Sequence, residues 1–188
     1  MGNKKVLIAY GTRYGSTEEI SQDIAKTLGE KGLEPELFNL GKSKSKNWPQ
    51  LDDFDGVIIG TSLKINAWKK EVKSFLDKNK IEFKNENKKL GVFTCGAYAI
   101  GEPTEAKENI AKRLMKNYEL EADIYNAFGG ILDFSEGSKV GKLGQLALKA
   151  VALGLSNEKG LEIDKNGCND FRDWDKIRSF AESLADIL

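Results

Sequence analysis

The sequence predicts an α/β fold: a mostly parallel sheet with helices on both faces. Two observations carry this. Short apolar runs alternate with amphipathic stretches five times along the chain. Several of those runs, such as Val6–Tyr10 and Gly56–Thr61, are apolar without a break, as strands buried on both faces are. Five βα units in this order build a doubly wound sheet.

The elements follow in sequence. Val6–Tyr10 is the first strand and ends at Gly11. In Ser16–Glu30, Ile20, Ile24 and Leu28 recur at helical spacing, Ser16 and Glu19 are spaced as a capping box, and Gly32 stops the helix. Pro35–Leu40 reads as an edge strand, where a proline is tolerated. The lysine-rich stretch Lys42–Asn47 reads as a solvated loop. Gly56–Thr61 is the third strand. Ala67–Asn79 follows as a helix with Trp68, Val72, Phe75 and Leu76 on one face. Leu90–Cys95 is the fourth strand, and the next helix starts near Pro103, a residue suited to a first helical turn, and carries Ile110, Leu114 and Tyr118. The fifth strand runs Asp123–Leu132 with Gly129-Gly130 inside it. A closing helix holds Trp174, Ile177, Phe180, Ala181, Leu184 and Leu188.

Phe134–Asp173 breaks the rhythm, and a connection of that length in a compact domain is usually functional. Val140–Leu155 reads as its helix, favouring one face with Leu143, Leu146, Ala147, Ala150, Val151 and Leu155. Leu161–Ile163 reads as a short strand. The whole is one domain over residues 1–188 with an insertion at about 135–172.

Composition narrows the chemistry. Lys plus Arg (29) equals Asp plus Glu (29), which argues against a nucleic-acid binder. There is no histidine, so Ser-His-Asp and Cys-His catalysis and His-ligated metals are excluded. Cys95 and Cys168 lie far apart and form no Cys-x-x-Cys motif. Difficult chemistry then falls to a bound cofactor. With no secretory signal and no apolar stretch long enough to span a bilayer, the expected location is cytoplasmic.

The loop Gly11-Thr12-Arg13-Tyr14-Gly15-Ser16-Thr17 joins the first strand to the first helix. Ligands of open α/β sheets bind beyond the carboxyl ends of strands, and a helix N-terminus with free N–H groups suits a phosphate. Thr12, Ser16 and Thr17 add hydroxyls. The pattern is neither Gly-x-x-x-x-Gly-Lys-Ser/Thr nor Gly-x-Gly-x-x-Gly, so ATP and NAD are not indicated.

Tyr10–Thr17 resembles the phosphate loop of flavodoxins, and the resemblance implies an order 2-1-3-4-5 sheet and FMN. It places Thr12, Arg13, Tyr14, Gly15, Ser16 and Thr17 at the FMN phosphate. Ser62, Leu63, Lys64, Ile65 and Asn66 fall in the first flavin-flanking loop, and Thr94, Cys95, Gly96, Ala97 and Tyr98 in the second. The Thr12-Arg13-x-Gly15 run, Gly129-Gly130-x-Leu132-Asp133-Phe134, the insertion and Asp173-Trp174 resemble a subgroup related to menaquinone-dependent protoporphyrinogen oxidase. Leu63 and Ile65 stand where flavodoxins carry an aromatic, and Ala97 where many carry an acid.

The resemblance implies an FMN electron carrier, or alternatively an oxidoreductase acting on protoporphyrinogen or a quinone. Redox proteins or a quinone are the implied partners. Tyr98 has two readings, a stack on the flavin or a surface residue; Trp48, Trp68 and Trp174 read as packing. Arg13 and Lys64 are cations that would raise the flavin potential if they face it. The insertion helix reads as a flap over the last strand, or as a face for a membrane or partner beside Lys139, Lys142 and Lys149.

Overall fold

The computed structural model describes residues 2–64, 67–84 and 88–188. Five parallel strands form the central sheet: β1 (Lys5–Gly11), β2 (Glu34–Asn39), β3 (Gly56–Ser62), β4 (Lys89–Cys95) and β5 (Ile124–Phe128), in the order β2-β1-β3-β4-β5. Val6–Gly11 and all of β3 are buried. β2 is the edge strand, with Pro35 at its second position and none of its residues fully buried. Short 3₁₀ turns at Leu40–Lys42 and Ser45–Asn47 carry the chain away from it.

The two sheet faces have separate cores, because alternate residues point to opposite sides. Helix α1 (Ser16–Glu30) and helix α6 (Trp174–Ile187) cover one face, burying Ile20, Ile24, Ile177, Phe180 and Leu184 against Val6, Ile8, Ile58 and Phe93. Phe93, Phe128 and Phe180 meet there at centroid distances of 5.7–6.2 Å. Helix α2 (Lys70–Lys78) and helix α4 (Pro103–Tyr118) cover the other face, where Val72, Phe75, Ile110 and Leu114 pack on Leu7, Val57, Ile59 and Val92. Trp48 stacks edge-on to Phe75 at 5.6 Å, and Trp68 is buried in the same core, so both are packing residues as expected. Helix α2 begins three residues later than its apolar spacing predicts, because Ala67 pairs back with Lys64 in an isolated bridge. A one-turn helix α3 (Tyr98–Gly101) precedes α4.

The fifth strand differs from expectation. It stops at Phe128, and the residues beyond Gly129-Gly130 form β6 (Ile131–Asp133) in a second sheet. Its antiparallel partner is β7 (Cys168–Asp170), not the expected Leu161–Ile163, which has no strand structure and packs half-buried on a small cluster. Steric closeness fixes the break: a Cβ on Gly129 would stand 2.2 Å from the Phe171 carbonyl oxygen.

Between β6 and β7 lies helix α5 (Lys142–Lys159), capped by Gly160 in the left-handed region. Its inner side is held by a satellite core of Leu132, Phe134, Ala152 and Leu155. Its face is not the one expected. Leu143, Leu146 and Leu153 are 84%, 67% and 53% exposed, and of the six residues singled out for that face only Leu155 is buried.

Candidate functional site

The carboxyl ends of β1, β3 and β4 open into a cleft of about 370 Å³, within the usual range for a small-molecule site. The β1–α1 loop forms one end of it. Gly15 takes φ +111, a left-handed conformation that a side chain would strain, and so turns the chain sharply into α1. The expected capping box is absent. Ser16 is already helical, the N-cap has no side-chain bond, and Thr12 Oγ1 instead accepts from the Gly15 N–H at 3.1 Å. Glu19 pairs elsewhere, with Arg172 at 2.5 Å.

A phosphate monoester fits this loop on three observations. The N-cap leaves first-turn N–H groups of α1 without a side-chain acceptor. Thr17 is fully buried, lines the cleft, and its Oγ1 has no hydrogen-bond partner among the described residues. Arg13 Nε is likewise buried and unpartnered. A buried hydroxyl left unpaired costs about 1–3 kcal/mol, which a ligand acceptor would relieve. Ser62 Oγ, on the β3 side of the cleft, is a further unpartnered group.

Of the sixteen residues read from the sequence, Thr12, Arg13, Tyr14, Ser16, Thr17, Ser62, Leu63, Lys64, Cys95, Gly96 and Ala97 line this cleft together. Gly15 turns the loop without lining it. Ile65 and Asn66 lie outside the described residues. Thr94 is buried, and its side chain lies on the opposite sheet face from Cys95, so it does not line the cleft. Tyr98 sits over an adjoining groove, with its hydroxyl pKa raised chiefly by a hydrogen bond to Glu105. Cys95 is buried, donates to the Gly129 carbonyl at 3.5 Å, and burial pushes its thiol up to about 12. It is therefore no nucleophile at neutral pH.

None of the second wall's residues is among the sixteen read from the sequence. Gly130–Asp133, Lys139, Val140, Gly144, Ala147, Leu148, Val151 and Cys168 close the cleft from the insertion. Two signals point to it: the length of the connection after Phe134, and the Gly129-Gly130 pair, which redirects the chain from the main sheet towards the cleft. Past Leu63, Ala97 and Val151 the cleft continues into an apolar groove with Tyr98, Gly101, Gly154 and Leu155. Glu102, Glu158 and Lys159 form its rim, and Lys159 is bound to Glu102 at 2.7 Å.

Electrostatics around the loop are ordered. Glu18 accepts from the Tyr10 hydroxyl at 3.0 Å and pairs with Lys42 at 3.1 Å; Lys42 first, then Tyr10, lowers its pKa. Arg172 bonds Asp170 through Nε and Nη2 at 2.8 and 2.6 Å, and its guanidinium stacks on Trp174 at 4.5 Å. Burial disfavours its charge, but the bonds to Asp170 and Glu19 outweigh this and raise its pKa.

The Flavodoxin domain family model matches residues 7–142. Protoporphyrinogen IX dehydrogenase [quinone] of Escherichia coli strain K12 is 21% identical over 97% of this chain and 96% of its own length. Two solved structures share the fold. Rubredoxin oxygen:oxidoreductase of Desulfovibrio gigas has TM-score 0.58 and 17% identity, and the match covers 99% of this chain. It covers 36% of that protein, so this chain spans about a third of it. Flavodoxin 1 of Bacillus cereus has TM-score 0.51 and 18% identity, covering 85% of this chain and all of the flavodoxin. No helix among the described residues is long and apolar enough to cross a membrane.

Proposed function

Since the chain belongs to the flavodoxin family and FMN is the cofactor of its electron transfer, we propose that FMN lies between the β1–α1 loop and the insertion and exchanges electrons with a neutral, flat, apolar ring of the quinone class. Thr12, Arg13, Tyr14, Gly15, Ser16 and Thr17 hold the phosphate. Ser62–Asn66 and Thr94–Tyr98 supply the loops flanking the ring, with Leu63, Lys64, Cys95, Gly96 and Ala97 nearest to it. Bound FMN supplies one- and two-electron transfer; the protein's part is to hold it, keep water from the ring and leave one approach open.

The observation carrying the quinone reading is the apolar groove that continues from the cleft. A carrier serving only protein partners has no use for a walled side channel. The relative in Escherichia coli carries both protoporphyrinogen IX and a quinone in its name. The rim here favours the quinone, because Glu102 and Glu158 outnumber Lys159 and would repel the carboxylates of a porphyrinogen. The outer stripe Leu143, Leu146 and Leu153 fits a lipid surface, where such a ring is stored. Residues 137–157 contain three lysines and no Asp or Glu, which suits anionic head groups. Co-sedimentation with anionic vesicles, lost on replacing Leu143 and Leu146 by Asp, tests that contact.

Gly154→Phe tests the groove. A Cβ there meets nothing within 4 Å, so the ring enters open space without disturbing packing. Photoreduced FMN-loaded variant should reoxidise slowly with a naphthoquinone and at the wild-type rate with ferricyanide, a small outer-sphere acceptor. Unchanged quinone rates would remove the groove from the reaction.

A further inference from the structure

The phosphate loop carries a charge problem of its own making. Glu18 and Glu19 occupy the first turn of α1, where a phosphate dianion would sit, and like charges there oppose binding. Glu18 is neutralised within the flavodoxin core by Lys42. Glu19 is not; its partner is Arg172, 153 residues downstream, just past β7.

A second cation comes from the insertion. Lys139 lines the cleft with Thr12, Arg13, Ser16 and Thr17, and its Nζ lies 4.0 Å from where a Cβ on Gly15 would stand. Glu19 Oε1 lies 3.8 Å from the same point. Among the described residues no ion pair involves Lys139, whereas Lys42, Lys159, Arg172 and Lys176 are all committed. Its charge is among the influences that lower the Glu18 pKa, after Lys42 and Tyr10. Tyr14 also leans to the insertion, its hydroxyl 3.7 Å from a Cβ placed on Gly144.

We infer that the insertion completes the FMN phosphate site: Lys139 is a direct countercharge to the phosphate, and Arg172 is a positioning residue that draws the Glu19 carboxylate away from it. This rests on the FMN reading above and extends it. The phosphate is then held from two sides, by hydroxyls and backbone of the β1–α1 unit and by cations of a segment that begins more than 110 residues later. The insertion, which sequence order sets apart from the phosphate loop, becomes part of cofactor retention.

Dissociation constants for FMN and riboflavin, measured by flavin fluorescence on the apoprotein, test this. Wild type should bind FMN more tightly than riboflavin; equal affinities would end the phosphate reading itself. Lys139→Gln should weaken FMN about fivefold to tenfold, a typical loss for one charge-assisted contact, and leave riboflavin unchanged. Its FMN affinity should also fall less steeply with salt. Arg172→Gln should weaken FMN selectively, and adding Glu19→Gln should restore it, a rescue that a purely structural role for Arg172 would not give. Lys139 is exposed, so its variant folds even if the Arg172 variant does not. An FMN-to-riboflavin ratio in Lys139→Gln equal to that of a discriminating wild type would overturn the inference while leaving the FMN reading in place.

Discussion

The two walls of the cleft are built by different means. On the sheet side, the loops leave strands whose residues are buried on both faces, and helices on both sides pin them. On the insertion side, a pair of three-residue strands and one helix rest on a small cluster of four buried side chains, with leucines left in solvent. The first wall is held by two large cores and has little freedom to vary. The second gains little from burial and keeps an apolar outer face. Such a division suits a protein in which the β1–α1 side of the proposed cofactor site stays fixed while the insertion side is free to adapt.

The sharpest break of this comparison sets Phe93 against Leu155. Phe93 is fully buried in the aromatic cluster, so Phe93→Ala should cost about 3–5 kcal/mol and lower the midpoint of global unfolding. Leu155→Ala should cost about 2 kcal/mol, the low end for a core leucine, since its cluster is small. Its loss should appear as faster hydrogen exchange in α5 with the sheet amides unaffected. Equal global destabilisation by the two would mean that both walls share one core.

Thr17→Val probes the fixed wall. Without ligand the Thr17 hydroxyl is buried and unpaired, so the change should leave apoprotein stability unchanged or slightly higher. FMN binding should weaken by about tenfold, read by fluorescence titration, or roughly 1.4 kcal/mol. Reduced apoprotein stability with unchanged FMN affinity would place the hydroxyl's role in packing.

Acid should loosen the insertion before the sheet. Arg172 holds the Asp170 carboxyl below its ordinary value of 3.8, and bonds from Ser135 do the same for Asp133. Depressed carboxyl pKa values contribute stability that is fully present above the unfolded value and is lost as pH falls through the folded one. Glu18 on the sheet side is depressed as well, but the insertion rests on a far smaller core, so protection of α5 and β6 should decline below about pH 4 with the main sheet following at lower pH. This is the smallest of the expected effects, and simultaneous loss of both regions would erase the distinction.

How much was readable follows the same division. β1 and β3 are legible because strands buried on both faces must be apolar throughout, and the loop after β1 because a tight turn into a phosphate-ready helix needs glycine and hydroxyls. Strand order and the fold match the expectation. The insertion is legible as a helical segment after the fifth strand, but its strand pairing and buried face are not, for a physical reason. β7 has three residues and no apolar alternation, so nothing marks it until β6 is beside it. Leu161–Ile163 has the apolar spacing of a strand and none of the pairing. Glu19 looks like the second half of a capping box because local spacing cannot reveal an arginine 153 positions away. Lys139 reads as a surface charge for the same reason.

The Glu19–Arg172 bond also has a meaning in time. α1 and β1 emerge early in synthesis, and β1 finds β2 and β3 soon after. The covering residues Ile177, Phe180 and Leu184, and the arginine that quiets Glu19, leave the ribosome some 150 residues later. Until then the nascent loop meets any phosphate with an acidic first turn and an open flank. Flavin loading is thus expected to be a late event of maturation, which would keep a reactive ring off a half-made chain.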